Sequence, residues 1–333
     1  MKGYLELHKE ALVVDTHCDT IARIHPGGLE QGLGVRADVG HVDIPRLIEG
    51  GVDCQVFAVS GFDTLERALH LIDVFYGECE KNSGKLSPVY FHEDVLRVHG
   101  EGKVSGLLAV EGGEIIGRDV SVLRVLHRLG VRMFSLVYYR SELADGAFNR
   151  AGEIDRAKGG LTSLGVQVAE EAQRLGIVLD VSHLNDTGLS ELLEIVKKPV
   201  IASHSSCRAL CSSYIPKRTA AITRNMTDEQ IKALADRGGV IGVNFASVFL
   251  HPSGKATVET LVDHIDRIVD LAGVDHVGLG SDYDGIPEAP QGLEDVSRLP
   301  NITRVLVDRG YSDDDVKKIL GENHLRVFKQ VMG

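Results

Sequence analysis

Residues with metal-binding side chains follow a short apolar run near the N-terminus. Residues 11–14 (ALVV) lead into Asp15, His17 and Asp19, which are spaced two residues apart. Alternate side chains of an extended strand point to the same face, so these three groups are expected to line one side of a strand. An imidazole and a carboxylate placed in this way can ligate one cation. A strand end whose polar residues only meet solvent is the alternative, and this short motif alone does not separate the two.

Four more residues of the same chemical types lie farther along the chain, each just after an apolar run. They are Glu111, His183, His204 and Asp282. Each has an ordinary structural explanation, such as a carboxylate at a helix start or a turn former. Together with His17 and Asp19, however, they form a set that unrelated structural demands would not be expected to produce. The set supplies enough nitrogen and oxygen ligands for two borderline metals such as Zn²⁺.

The elements that must position these residues follow a repeating pattern. Eight runs rich in Val, Ile and Leu predict strands at 11–17, 52–59, 104–110, 132–138, 177–182, 199–203, 239–245 and 276–280. Helical periodicity or helix-capping residues lie between and after them, as at 121–129, 162–175, 227–238 and from 312 onward. Near-continuous apolar strands are typical of a parallel sheet that is covered on both faces. Strands that alternate with helices in this way predict an α/β fold, a (β/α)8 TIM-like barrel.

We expect residues 1–333 to form a single barrel domain with loop insertions at its C-terminal face. A doubly wound sheet is the rival architecture, but the glycine-rich residues 27–40 do not fit a dinucleotide-binding fingerprint and are predicted to form a long loop over the barrel mouth. Active sites of barrel enzymes lie at the C-terminal ends of the strands. The six candidate ligands are therefore expected to meet there.

Composition narrows the class of protein. The 333 residues carry 48 acidic and 36 basic side chains, a net charge of −12, which argues against nucleic-acid partners and anionic membrane surfaces. No apolar stretch approaches the roughly 20 residues of a transmembrane helix, and no signal peptide is expected. The five cysteines form no CxxC pair. A reduced, cytoplasmic protein is therefore the expectation.

Two residues of the first motif have competing interpretations. Cys18 points away from the side of His17 and Asp19 on a strand, so it is expected to pack as a small hydrophobic residue between barrel and helices. Asp15 shares the face of His17. It either orients a metal ligand or makes a buried structural hydrogen bond, and the sequence leaves both open.

Seven motifs in fixed order carry a family resemblance: VVDTHCDT, AVEGGE, GIVLDVSH, SHSSCRAL, TRN, GSDYDG and GENHLRVF. They resemble the membrane (renal) dipeptidase family of zinc metallopeptidases, which belongs to the amidohydrolase superfamily of metal-dependent hydrolases. The resemblance extends from about residue 11 to about residue 330 and is collinear, which makes it specific.

Carried over to this chain, the resemblance implies two zinc ions, one on His17 and Asp19, the other on His183 and His204, with Glu111 bridging both. It implies that Asp282 is the acid and base that moves a proton during hydrolysis. Arg224 matches the arginine that binds the terminal carboxylate of the substrate, a role that suits a guanidinium. From the sequence alone, Arg224 would be taken for a surface charge in a long loop.

The resemblance implies a zinc-dependent dipeptidase that hydrolyses dipeptides, including those with a D-residue at the C-terminal position, with water activated at the two-zinc centre. Two positions depart from the animal enzymes. Tyr138 stands where those enzymes carry a histidine near the substrate carbonyl, and Ala246 stands where they carry an aromatic residue. A phenol can donate a hydrogen bond to a developing oxyanion but carries no positive charge.

Other functions stay open at this point. An N-acyl-amino-acid deacylase could use the same metals and arginine. A non-catalytic metal- or peptide-binding barrel would be expected to lack a ligand or the acid/base, and here none is missing. A homodimer is common in the family and is compatible with the exposed helices of a barrel, although no residue of this sequence identifies one.

Overall fold

The computed structural model describes residues 3–25, 28–61, 64–147, 159–211 and 224–333. Its strands are β1 Val13–Cys18, β2 Val52–Val59, β3 Leu86–Val89, β4 Val104–Val110, β5 Val131–Ser135, β6 Val178–Asp180, β7 Ile201–Ser205, β8 Val240–Val243 and β9 Val277–Leu279. All of their pairings are parallel. A parallel sheet requires crossover connections, and helices supply most of them.

Eight of these strands close into a barrel. The order runs from β1 through β2, β4, β5, β6, β7, β8 and β9, and β9 pairs again with β1. The predicted (β/α)8 barrel is therefore confirmed. β3 pairs only with β4 and was not predicted from the sequence. Its run is four residues long and contains Pro88, which cannot donate to a ladder, so it lacks the usual pattern of a strand.

Helices cover the outside of the barrel and one of its ends. Their bounds are Tyr4–Glu10, Ile44–Glu49, Leu65–Lys81, His92–Gly100, Ser121–Arg128, Ser163–Leu175, Asp186–Ile195, Asp228–Asp236, Ser247–Leu250, Val258–Ala272, Pro300–Asp308, Asp313–Lys317 and Asn323–Met332. The predicted caps are confirmed at Thr162, whose hydroxyl accepts from Gly165 N at 3.1 Å, and at Thr227, which forms a capping box with Gln230.

The buried apolar residues form two clusters. The larger one joins the strands to the surrounding helices and includes Phe57 and Phe75. The smaller one joins residues from the first halves of several strands, such as Val14 and Val240, to Phe328 of the last helix. This helix therefore covers the N-terminal end of the barrel, and the opposite end is left for the site.

Loops at the C-terminal end are held to one another. Within the glycine-rich loop, residues 28–40 form only turns and irregular backbone, as expected. Just after it, His41 accepts from Asp284 N at 2.9 Å through Nδ1, and its own backbone N–H donates to the Asp284 carboxylate at 2.8 Å. The predicted strand 132–138 ends at Ser135, so Tyr138 lies in the loop after β5. No helix within the described ranges is both long and apolar enough for a membrane crossing.

Candidate metal centre

Five strands of the barrel bring the predicted ligands to one end. β1 contains His17, β7 contains His204, Glu111 directly follows β4, and His183 and Asp282 each lie three residues after their strands. Because the strands are parallel, their C-terminal ends meet at the same edge of the barrel. The structure therefore brings together residues that are as far apart as positions 17 and 282 in the sequence.

Three imidazoles converge on one carboxylate oxygen. Glu111 Oε1 lies 2.9 Å from His183 Nε2, 3.2 Å from His204 Nε2 and 3.5 Å from His17 Nε2. The Nε2 atoms of His183 and His204 are 3.1 Å apart. All four side chains are almost fully buried. A carboxylate shared by several imidazoles is the central position that a bridging ligand would occupy.

Two carboxylates extend the cluster on the side of His17. Asp19 Oδ1 lies 3.7 Å from His17 Nε2. One ligand atom each from His17, Asp19 and Asp282 falls within 4.8 Å of the other two, and the same holds for His17, Glu111 and His204. His17 belongs to both groups, so the two potential cation positions adjoin each other.

Unpaired polar atoms test whether a cation fits these residues. Among the described residues, both ring nitrogens of His17 and Oδ1 of Asp19 are buried without a hydrogen-bond partner. A buried polar atom that lacks a partner costs roughly 1–3 kcal/mol, so such atoms are rare away from functional sites. A cation would satisfy the imidazole nitrogen and the carboxylate oxygen at once. The donor set therefore fits a metal.

The pKa shifts within the cluster also fit a bound cation. Burial raises the pKa of Glu111 well above its usual range. Burial lowers the pKa of His183 and of His204 well below the usual histidine value, so both imidazoles are neutral. Burial also opposes the charged form of His17, but the neighbouring carboxylates, Glu111 foremost, raise its pKa to about 10. Metals bind neutral imidazoles and ionised carboxylates, so a bound cation would take the place of the proton that this cluster otherwise attracts.

Asp282 is held in an unusual backbone conformation. Its φ is 60°, in the left-handed region, and its backbone N–H donates to the carbonyl oxygen of His17 at 3.0 Å. His183 has a φ of 73°. Such residues cost roughly 1–3 kcal/mol each and persist where the surroundings hold them, commonly at functional sites. Burial raises the pKa of Asp282 to about 6, which suits a group that exchanges a proton near neutral pH.

Asn244 is a functional candidate that the sequence did not reveal. Its side-chain amide donates to Asp282 Oδ2 at 2.8 Å. The residue directly follows β8, lies two positions before Ala246 and is fully buried. The available signal was an asparagine near the C-terminal end of the predicted strand 239–245, which did not indicate its partner.

The role of Asp15 is clear from its contacts. Its carboxylate accepts hydrogen bonds from Ser281 N at 2.7 Å, from Ser281 Oγ at 2.6 Å and from Gln55 Nε2 at 3.0 Å. Its Oδ1 also accepts from the backbone N–H of His17 at 3.4 Å, whereas the ring nitrogens of His17 have no hydrogen-bond partner among the described residues. Asp15 therefore fastens the segment that precedes Asp282 to β1, which supports the structural interpretation. Cys18 belongs to the larger apolar cluster, as expected.

A small cavity adjoins the cluster. Its volume is about 100 Å³, and its lining includes Asp19, Glu111, Tyr138, His183, Arg224, Ala246, Phe249 and Asp282. Arg224 is buried, which excludes the surface-charge interpretation. Its Nη1 donates to Ser205 Oγ at 3.0 Å, whereas its Nη2 has no hydrogen-bond partner among the described residues. The ring of Tyr138 lies beside that of His183, with their centroids 4.4 Å apart.

A parallel barrel with a buried cluster of histidines and carboxylates at its C-terminal end is the arrangement expected of a metal-dependent hydrolase. The model of the membrane dipeptidase family, peptidase family M19, matches residues 1–332. The chain belongs to this family. It is therefore an enzyme of the hydrolase class and a dipeptidase by family, and the family resemblance of its motifs is confirmed.

Individual relatives agree with this assignment. The dipeptidase tcpJ of Claviceps purpurea (strain 20.1) is 34% identical over 307 residues, which are 88% of this chain and 69% of that protein. The probable dipeptidase PvdM of Pseudomonas aeruginosa is 26% identical, with a TM-score of 0.88 over 99% of this chain and 97% of that one. A metallopeptidase of Rhodobacter sphaeroides, solved with a phosphinate mimic of the dipeptide L-Ala-D-Ala, is 28% identical, with a TM-score of 0.86 over 96% and 99%.

Proposed function

We propose that this enzyme is a zinc-dependent dipeptidase with two metal ions in the cluster described above. His17 and Asp19 would hold one ion, His183 and His204 would hold the other, and Glu111 would be shared by both. The observation that carries the proposal is the convergence of three imidazole nitrogens on Glu111 Oε1, at 2.9 to 3.5 Å. Imidazole and carboxylate are the ligand types that zinc takes in catalytic sites.

The bound ions would polarise the scissile carbonyl group and lower the pKa of water toward neutrality. Asp282 accepts the proton of the attacking water and returns it to the leaving amine. Its position supports this role, because it lies at the edge of the cluster and lines the cavity. The amide of Asn244 holds one oxygen of Asp282.

Arg224 binds the terminal carboxylate of the dipeptide. The Nη2 atom of this buried guanidinium supports the assignment, because it lacks a hydrogen-bond partner within the described ranges and a carboxylate would satisfy it. Tyr138 donates a hydrogen bond to the oxygen of the reacting carbonyl, and its position in the lining of the same cavity supports this role. Burial raises the pKa of Tyr138, so the phenol keeps its proton for this purpose.

A cavity of about 100 Å³ suits small residues better than large ones. A dipeptide of two alanines, including one with a D-residue at the C-terminal position, is therefore the proposed type of substrate. The phosphinate mimic of L-Ala-D-Ala in the Rhodobacter sphaeroides relative supports this choice. Ala246 lines this cavity, and its small side chain leaves more room around the terminal carboxylate than an aromatic residue would.

The test combines metal content with a substrate panel. Metal-free protein is reloaded with zinc, dialysed and analysed for metal per chain, and is then assayed with L-Ala-L-Ala, L-Ala-D-Ala, and N-acetyl-L- and N-acetyl-D-alanine. We expect two zinc ions per chain and hydrolysis of the dipeptides, with loss of activity on chelation. One ion or none in the reloaded protein would overturn the binuclear centre. Cleavage of the N-acetyl amino acids in preference to the dipeptides would favour a deacylase instead.

A further inference from the structure

A buried carboxylate outside the ligand set lies behind His204. Asp180, at the end of β6, accepts hydrogen bonds through Oδ1 from the backbone N–H groups of Ser182 and Ser203, both at 2.9 Å. Its Oδ2 lies 2.6 Å from Ser203 Oγ. Ser203 Oγ in turn lies 2.7 Å from Nδ1 of His204. All four residues are nearly inaccessible to solvent.

The bond between Asp180 and Ser203 fixes the direction of the bond between Ser203 and His204. A carboxylate can only accept, so the hydroxyl of Ser203 must give its single proton to Asp180. The lone pairs of that hydroxyl remain, and they face His204 Nδ1. The imidazole must therefore donate from Nδ1, and its Nε2 carries a lone pair. That nitrogen lies 3.2 Å from Glu111 Oε1, inside the ligand cluster.

We infer that Asp180 and Ser203 are positioning residues that hold His204 in the tautomer and orientation a metal ligand needs. The inference rests on the proposed metal centre. Ligand histidines usually donate their second ring nitrogen to a carboxylate or a carbonyl, and loss of that partner typically lowers metal affinity about 10- to 100-fold. Here the hydroxyl of Ser203 lies between the two groups. It donates to the carboxylate of Asp180 and accepts from the ring of His204. Without it, the ring is free to rotate or to place a proton on Nε2.

Asp180 also has a structural role, which the test must distinguish from the positioning of His204. Through its two backbone contacts, Asp180 also joins the ends of β6 and β7. Ser203→Ala keeps these backbone contacts and removes the hydroxyl that bonds both to Asp180 Oδ2 and to the imidazole. Ser182→Ala is the matched control. The Ser182 hydroxyl accepts from the backbone N–H of His204 at 3.1 Å and lies 3.3 Å from Ser203 Oγ, so its removal leaves the bonds from Ser203 to Asp180 and to the ring in place.

The first measurement is zinc affinity, determined by competition with a chelator on the full chain. We expect Ser203→Ala to raise the zinc dissociation constant by about 10- to 100-fold and Ser182→Ala to change it less than about threefold. Ser203→Thr, which retains the hydroxyl, should restore most of the affinity. Equal affinities of the wild type and Ser203→Ala would overturn the inference, as would an equal loss in both alanine variants.

The second measurement reads the tautomer directly and needs no folded serine variant. Long-range ¹H–¹⁵N spectra of the metal-free wild-type chain, with His204 assigned by comparison with His204→Gln, should show the proton on Nδ1. A proton on Nε2 would overturn the inference even if the wild-type protein binds two zinc ions. Conversely, a wild-type protein that binds no zinc but shows the Nδ1 proton would contradict the proposed function and leave the positioning of His204 supported.

Discussion

Asn244 and Asp282 form a hydrogen bond of 2.8 Å between two strand ends, with the amide of Asn244 as the donor. The other end of the same amide accepts from the backbone N–H of Ala246 at 2.6 Å. Both ends of the amide are therefore used, so its orientation is unambiguous. One oxygen of Asp282 is held by this contact, which orients the carboxylate relative to His17 and the rest of the cluster.

Replacing Asn244 by aspartate should test this relationship without changing the size of the side chain. The variant places a second carboxylate against Asp282 and removes the donor. Because a hydrogen bond to a charged group contributes roughly 1.5–3 kcal/mol, we expect kcat for L-Ala-D-Ala to fall about 10- to 100-fold at unchanged zinc content. Asn323→Asp alters another buried amide, which bonds to Val274 O and Val277 O, and should leave kcat of the folded protein near the wild-type value. A wild-type kcat for Asn244→Asp would contradict the positioning of Asp282.

Asp282 itself should be needed for the proton transfer and not for metal binding. Asp282→Asn removes the basic oxygen but keeps the shape of the side chain, so we expect kcat to fall by roughly 10²- to 10⁴-fold. Zinc per chain should stay at the wild-type value. Asp284→Asn is a close control, since Asp284 bonds to Thr20 and His41 instead of the cluster and should affect stability more than kcat. Near-full activity of Asp282→Asn would refute the assignment.

Arg224 should matter only for substrates that carry a terminal carboxylate. Truncating one partner of a buried charged pair costs roughly 2–5 kcal/mol, so Arg224→Ala should lower kcat/KM for a dipeptide by at least about 30-fold. The corresponding dipeptide amide lacks the carboxylate and should already be a poor substrate of the wild type. For that amide, the variant should cause little further loss. An equal loss for both substrates would mean that Arg224 does not recognise the carboxylate.

A buried histidine outside the cluster should make stability depend on pH. His264 accepts from Cys207 N at 3.0 Å through Nδ1 and donates to Leu250 O at 2.9 Å, and burial lowers its pKa to about 4 from the usual 6.5. Between pH 6.5 and about pH 4, His264 therefore binds a proton in the unfolded chain but not in the folded chain. The stability contribution of this histidine is complete above pH 6.5 and is lost as the pH falls toward 4.

Urea unfolding of the metal-free protein at pH 7 and pH 4.5 measures this effect. We expect His264→Gln to be less stable than the wild type at pH 7 but to lose about 2–3 kcal/mol less between the two pH values. His251→Gln, at an exposed position, should follow the wild type. The expectation for His264 is wrong if its variant and the wild type lose the same free energy of unfolding over this interval.

The sequence by itself determined the barrel and the composition of the cluster. Eight apolar runs that alternate with helices leave few ways to bury their surface, and the closed parallel sheet is the one observed. The ligand types stand at strand ends, and the C-terminal ends of parallel strands meet, so the grouping of His17, Glu111, His183 and His204 followed from strand order alone. These are regularities of local pattern, and they need no knowledge of side-chain contacts.

Only the tertiary structure decided which groups support that cluster. Asn244 with Asp282, Asp15 with Ser281, and Asp180 with Ser203 are pairs of residues 23 to 266 positions apart, and a hydrogen bond between them depends on distances of a few tenths of an ångström. The burial of Arg224 likewise depends on contacts between elements, such as its hydrogen bond to Ser205 at the end of β7. Periodicity and spacing describe one element at a time, whereas these contacts form between elements, so no local pattern in the sequence encodes them.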